Sequence, residues 1–268
     1  FRDEALRDWE KIISAAHAAG VAVIPQLWHG RPTEEGGAAG PAPDRPEAAR
    51  RRASSWAEEY ARAAGRIRQI GFDGLELHGG GKHTADLFSL APGEDKPERP
   101  ARRDRYERPA AADIIEAARS AVGPDFPIIV RISEQRRLTQ TPFARDEAEL
   151  LALLRPCVEA GADMFHLEAT DGLSRRNGEA PSAEGSFAAR VGGLLRLPVI
   201  AAGQIAVADA AETAKRLRLL APAAARGDIA LLALGRALLA DPDWVNKLRA
   251  GRLDTAVGYE EKMLERLF

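Results

Sequence analysis

Gly71-Phe-Asp-Gly-Leu-Glu-Leu-His-Gly-Gly-Gly-Lys-His-Thr-Ala-Asp-Leu-Phe88 is the stretch that decides the fold. Leu75 to Leu77 reads as a short buried strand, and His78 stands where that strand ends. Gly79, Gly80 and Gly81 predict a sharp turn after it. Lys82 and His83 lie in the turn, and Thr84 to Phe88 are able to open a helix. A histidine at the carboxyl end of a strand, followed by a glycine-rich turn, is where an α/β barrel places its chemistry. Taken alone, the same residues read equally well as a structural histidine beside a loop. The decision rests on how the other strands end.

Working outward, Leu6, Trp9, Ile12, Ile13 and Ala16 follow helical spacing up to a stop at Gly20. Val21 to His29 then reads as a strand that ends in polar groups, Gln26 and His29. A Gly-, Pro- and Ala-rich loop over 30–46 leads into a charged, alanine-rich helix from about Glu47 to Gln69. Arg50, Arg51 and Arg52 on it read as a solvated face rather than an anion site. Beyond Phe88 an irregular stretch of mixed charge, Glu94 to Arg108, reaches Pro109. A helix over about 110–122 precedes the strand Pro127 to Ser133. Asp146 and Glu149 have the spacing of a capping box. Leu150, Leu153, Leu154, Cys157 and Val158 mark the buried face of the next helix, with a kink expected at Pro156. Met164 to Thr170 is a strand, 171–189 a polar loop, and Pro198 to Gly203 and Ile229 to Gly235 are two further apolar strands.

Six strands, at about 21–29, 74–79, 127–133, 164–170, 198–203 and 229–235, therefore alternate with helices, which predicts a parallel sheet. No Gly-x-Gly-x-x-Gly follows a strand. Polar residues or glycine stand at successive strand ends: Gln26, His78, Arg131, Gly203 and Gly235. That pattern favours a TIM-type (β/α)8 barrel, of which this chain carries six strands of eight, over an open doubly wound sheet. The expected organisation is a single, partial barrel domain over 1–268.

The bulk composition narrows the function. A net charge of −2 gives no global reason to expect nucleic acid or an anionic membrane as partner. The single cysteine, Cys157, excludes an internal disulfide and a multi-cysteine metal or iron–sulfur site. Its place on an apolar helical face predicts buried packing. No metal site is expected. No apolar run is long enough to span a bilayer, and a cytoplasmic location is the default expectation.

Five phrases taken together resemble the Old Yellow Enzyme family of FMN-dependent oxidoreductases: Gln26-Leu-Trp-His29 with Gly30-Arg31, Gly71 to Gly79, Val130-Arg-Ile-Ser133, Pro198 to Gly203, and Gly235-Arg-Ala-Leu-Leu-Ala-Asp-Pro-Asp243. Their order and spacing are similar to the family from its third barrel strand to its eighth. The resemblance implies that the Gln26 amide hydrogen-bonds the flavin pyrimidine ring. It implies that Arg131 lies beside flavin N1 and O2, where a fixed cation stabilises negative charge on the reduced ring. Gly203, Gly235 and Arg236 match the phosphate grip, glycine letting backbone N–H groups approach. His78 matches the first of two residues that hydrogen-bond a substrate carbonyl.

The substrate side departs from the family pattern. The second carbonyl-binding position, usually His or Asn, is Gly81. The position of the proton-donating tyrosine is His83. No Tyr-Gly-Gly occurs in the segment 94–108. The expected activity is an NAD(P)H-dependent reduction through FMN, with hydride passing to an activated alkene and His78 and His83 in the catalytic roles. A small electrophilic molecule is then the partner, with a homo-oligomer as one possible assembly. Two other readings stand beside it. One is a catalytically impaired barrel that binds flavin or phosphate. The other is a flavin-free barrel enzyme that uses His78 or His83 as general base on a phosphorylated substrate.

Overall fold

The computed structural model describes residues 3–28, 46–80, 88, 109–136, 141–169, 186–206 and 209–266. Strands β1 (Gln26–Leu27), β2 (Leu75–His78), β3 (Ile128–Ser133), β6 (Met164–Glu168), β7 (Val199–Ala202) and β8 (Leu231–Ala233) form one six-stranded sheet in the order β1-β2-β3-β6-β7-β8. A small antiparallel pair, β4 (Gln135–Arg136) with β5 (Thr141–Pro142), stands apart from it. Helices α1 (Asp3–Ala18), α2 (Pro46–Ile70), α3 (Ala110–Val122), α4 (Glu147–Glu159), α5 (Phe187–Leu195) and α6 (Ala210–Arg226) alternate with the strands, and α7 (Arg236–Ala240) and α8 (Trp244–Arg249) follow β8. The alternation is that of a (β/α)8 barrel, and the strand order is the order in sequence, as such a barrel requires.

Two compact units divide the chain, residues 1–165 and 166–268. In the first, β1, β2 and β3 are parallel, with Gln26 opposite Glu76, Leu77 opposite Val130 and His78 opposite Arg131. The two-residue alternation of the strands sorts their side chains. Leu75, Leu77, Ile128, Val130 and Ile132 are buried on one face. Glu76, His78, Arg131 and Ser133 are half-buried on the other, with Gln26 exposed beside Glu76. Helix α2 buries Tyr60, Ala64 and Ile67, which are four and three residues apart, and packs against the apolar face of α3.

The N-terminal strand is shorter than the sequence suggests. Of 21–29 only Gln26 and Leu27 enter a ladder. Pro25 has no N–H to give, and the segment around it is held by Val23 O accepting from Asp73 N, Val23 N donating to Asp73 Oδ2 and Pro25 O accepting from Glu76 N. Its neighbours Val21, Ile24 and Trp28 are exposed apolar residues.

Helix α4 starts as the capping box predicts, with Glu149 N donating to Asp146 Oδ1 at 2.8 Å. The reciprocal bond reaches one residue further back, from Arg145 N to Glu149 Oε2 at 2.7 Å. The helix continues through Pro156 to Glu159, and Cys157 is fully buried on it. In the second unit β7 pairs with β8, Ala202 opposite Ala233. Helix α5 occupies the end of what the sequence presents as a polar loop. Ser186 caps it, its Oγ accepting from Ala189 N, and Phe187 and Val191 are buried. Among the described residues no helix is long and apolar enough to cross a membrane.

Candidate active site

Unit 1 brings together three of the expected residues. His78 ends β2 and Arg131 is its partner on β3, so the imidazole and guanidinium project from one face at the carboxyl ends of adjacent strands. Nδ1 of His78 and Nε of Arg131 are buried and are engaged by no hydrogen bond among the described residues, while each residue as a whole does have an interaction partner. Gln26 lies on the same face beside Glu76. Its Nε2 donates to Glu76 Oε1 at 2.5 Å. A carboxylate accepts only, so this contact fixes which end of the amide faces Glu76 and directs Oε1 away.

The glycines after His78 are needed for a reason other than a sharp turn. Neither Gly79 nor Gly80 has a positive φ. A Cβ at Gly79 would lie 2.3 Å from Phe88 and 2.7 Å from Arg131 O, and one at Gly80 would lie 2.5 Å from Ser133 Oγ. Gly79 N donates to Arg131 O at 2.7 Å. Close packing of the chain on β3 therefore demands glycine here. Phe88, fully buried, covers Gly79 and meets Phe143 edge-on at 5.4 Å, which closes the apolar floor under the strand ends.

Unit 2 carries the remaining expected residues. Gly203 follows β7 directly and adopts φ 128°, a conformation closed to side-chain-bearing residues. Gly235 follows β8, the neighbouring strand, and precedes Arg236 at the start of α7. A Cβ at Gly235 would meet nothing within 4 Å, so the backbone there lies open. The register of β7 with β8 sets these two glycines at adjacent strand ends. The Arg236 guanidinium lies over the Tyr259 ring, 5.7 Å from its centroid.

Gly81, Lys82 and His83 lie outside the described residues, as do His29, Gly30, Arg31 and the charged segment 94–108. Among the described residues no cluster of His, Cys, Asp or Glu is arranged to hold a metal ion. Three residues escape a reading that looks only at strand ends. Glu76 orients Gln26, and the half-buried pair His166 and Glu168 alternates with buried Phe165 and Leu167 along β6. The signal was the period-two pattern itself, Leu-Glu-Leu-His in β2 and Met-Phe-His-Leu-Glu in β6.

Comparison with known proteins agrees with the fold and adds a family. Residues 1–255 match the model of the NADH:flavin oxidoreductase / NADH oxidase family. The chain is 25% identical over 224 residues to a metal reductase of Desulforamulus reducens, covering 78% of this chain and 30% of that protein. It is 28% identical over 206 residues to an NADH oxidase of Thermoanaerobacter brockii, covering 73% of this chain and 29% of that protein. The chain thus spans less than a third of the length of either relative. Morphinone reductase in complex with tetrahydroNAD superposes with a TM-score of 0.67 at 19% identity, over 98% of this chain and 74% of that one. At that identity the likeness speaks for the fold.

Proposed function

We propose that this chain, which belongs to the NADH:flavin oxidoreductase / NADH oxidase family, is an FMN-dependent oxidoreductase that draws its reducing equivalents from NAD(P)H. FMN, when bound, supplies the hydride-transfer chemistry that no amino-acid side chain provides. The observation that carries the reading is the pairing of His78 with Arg131 at the ends of β2 and β3. In this reading Arg131 offers a fixed cation to the pyrimidine end of the flavin, and Gln26, held by Glu76, offers its amide to the same ring. Gly203, Gly235 and Arg236 take the phosphate: the open backbone at Gly235 suits close approach by an anion. The donor types fit the group, a guanidinium and an amide for an imide-like ring and backbone N–H with an arginine for a phosphate.

The substrate is an activated alkene or a related small electrophile. In this reading His78 donates a hydrogen bond to its carbonyl, Gly81 brings no side-chain donor, and His83 is the proton donor. The test is direct. The purified chain is expected to show flavin absorbance, to oxidise NADPH or NADH, and to reduce a simple cyclic enone. Arg131→Ala is expected to weaken FMN binding by about 1.5–3 kcal/mol, the worth of a charge-assisted hydrogen bond, and to lower the flavin reduction potential. A chain that takes up no flavin sinks the reading. Unchanged flavin content and potential in the variant remove Arg131 from the site.

A further inference from the structure

We propose that Tyr259 is a positioning residue for the phosphate-binding arginine, and that the C-terminal segment is clasped onto α7 to hold it there. The inference rests on the FMN reading above and adds a residue that lies beyond the 1–255 stretch matched by the family model. The ring of Tyr259 lies under the guanidinium of Arg236 at 5.7 Å. A cation–π contact of this kind draws on the guanidinium's charge and does not require its N–H groups as hydrogen-bond donors, which leaves them for a phosphate. A long, exposed arginine otherwise loses rotamer freedom when it grips an anion. A ring already beneath it removes part of that loss before the ligand arrives.

The tail that carries Tyr259 is tied down by two independent contacts. Asp241, at the end of α7, is buried. One of its carboxylate oxygens accepts from Lys247 Nζ at 2.6 Å and from Val257 N at 2.9 Å, and the other from Asp243 N at 3.1 Å. Lys247 also donates to Thr255 O at 3.2 Å. Beside this polar clasp, Ala237 and Trp244 are buried together with Ala206, and Leu253 and Ala256 of the tail pack against them. The clasp and the apolar cluster fix the backbone two residues before Tyr259. The ring is thereby delivered to Arg236.

The experiment compares FMN with riboflavin, which lacks the phosphate, by fluorescence titration of the flavin-free full chain. The unaltered chain is expected to prefer FMN. Tyr259→Ala is expected to weaken FMN about twofold to fivefold, the range of a cation–π contact at an exposed site, and to leave riboflavin unchanged. Tyr259→Phe keeps the ring and is expected to keep the preference. In an Arg236→Ala background, adding Tyr259→Ala is expected to shift the FMN-to-riboflavin ratio no further. Equal weakening of both flavins, an unmoved ratio, or a full additional loss in the Arg236→Ala background each overturns the role of Tyr259 while leaving the FMN reading intact. An unaltered chain that binds neither flavin overturns that reading and this inference with it. Equal binding of both flavins overturns the phosphate grip and this inference with it, while flavin binding itself stands.

Discussion

Asp73 and Asp163 occupy the same place in two strand–helix units of unit 1, one between α2 and β2 and the other between α4 and β6, and they hold it with different partners. Each follows a Gly-x pair at a helix end, Gly71-Phe and Gly161-Ala, with both glycines at positive φ, 99° and 108°. Each clasps the preceding strand in both directions. Asp73 N donates to Val23 O while Val23 N donates to Asp73 Oδ2, and Asp163 N donates to Ile128 O while Ile128 N donates to Asp163 Oδ2. The side chain that completes each clasp comes from the helix before that strand. It is His17 of α1 in the first case and Arg119 of α3 in the second. The local rule is the same, so the difference isolates what an arginine adds over a histidine.

The addition is carbonyl capping. Arg119 donates to Gly161 O, Gly123 O, Pro124 O and Phe126 O as well as to Asp163. One guanidinium therefore satisfies the ends of two helices and the entry to β3, which no imidazole with two ring nitrogens is able to do. His17 is a more exposed side chain than Arg119, at 43% against 17%, and its one described bond is to Asp73. The largest expected effect follows. Arg119→Ala is expected to destabilise the chain by about 3 kcal/mol, from lost charge-assisted bonds and uncapped carbonyls. His17→Ala is expected to cost under ~1 kcal/mol. Urea midpoints of the two variants check this, and equal shifts break the comparison.

A smaller contrast separates the two carboxylates. Ile128 itself is fully buried, so its N–H depends more on Asp163 than the N–H of a half-buried residue would. Val23 is only half-buried, so water is able to replace Asp73. Asp163→Ala is therefore expected to cost about 2–3 kcal/mol and Asp73→Ala about 1 kcal/mol, measured the same way. The reverse order would show that these joints are held by the His17 and Arg119 side chains rather than by the strand N–H.

How far the sequence carries follows from the same pair. The Gly-x-Asp turns and the apolar strands after them are local signals, and they delimit β2, β3 and β6 to within a residue or two. His78, Arg131, Gly203 and Gly235 stand out because they end such strands. The edge strand before Asp73 is harder to read. Its apolar run is long, but its ladder is cut short by Pro25 and by bonding along one described side. Glu76 was within reach, because alternation puts it on the face of His78. Arg119 and Tyr259 were not. Arg119 sits on an ordinary helix and acts through carbonyls brought near by the fold, and Tyr259 meets Arg236 only once the tail is clasped by Asp241. The Gly227-Asp228 turn before β8 looks like a third copy with one residue fewer. There the carboxylate takes Arg226 Nε from its own turn instead, at 2.8 Å, so the motif alone does not specify the clasp.

The finest test of the comparison is acid. The Val23 N–H directed at Asp73, and after it the hydrogen bond from His17, hold this carboxyl below its ordinary value of 3.8, with burial opposing them. A carboxyl whose pKa is lower in the folded chain than in the unfolded one contributes stability that is complete above the unfolded value. That contribution fades as pH falls through the folded value, because the unfolded chain takes up its proton first. Asp73→Asn keeps an oxygen for Val23 N but carries no charge to lose, so it is expected to flatten the fall in stability below about pH 4. Its urea midpoint should lie under that of the unaltered chain at pH 6 and converge on it toward pH 2. The shift is small beside the loss of Arg119, because the Asp73 carboxylate is 36% exposed and partly screened. Parallel pH profiles for the two chains would mean that Asp73 serves the joint by shape alone, and the kinship between the two clasps would then be one of backbone geometry without the charge.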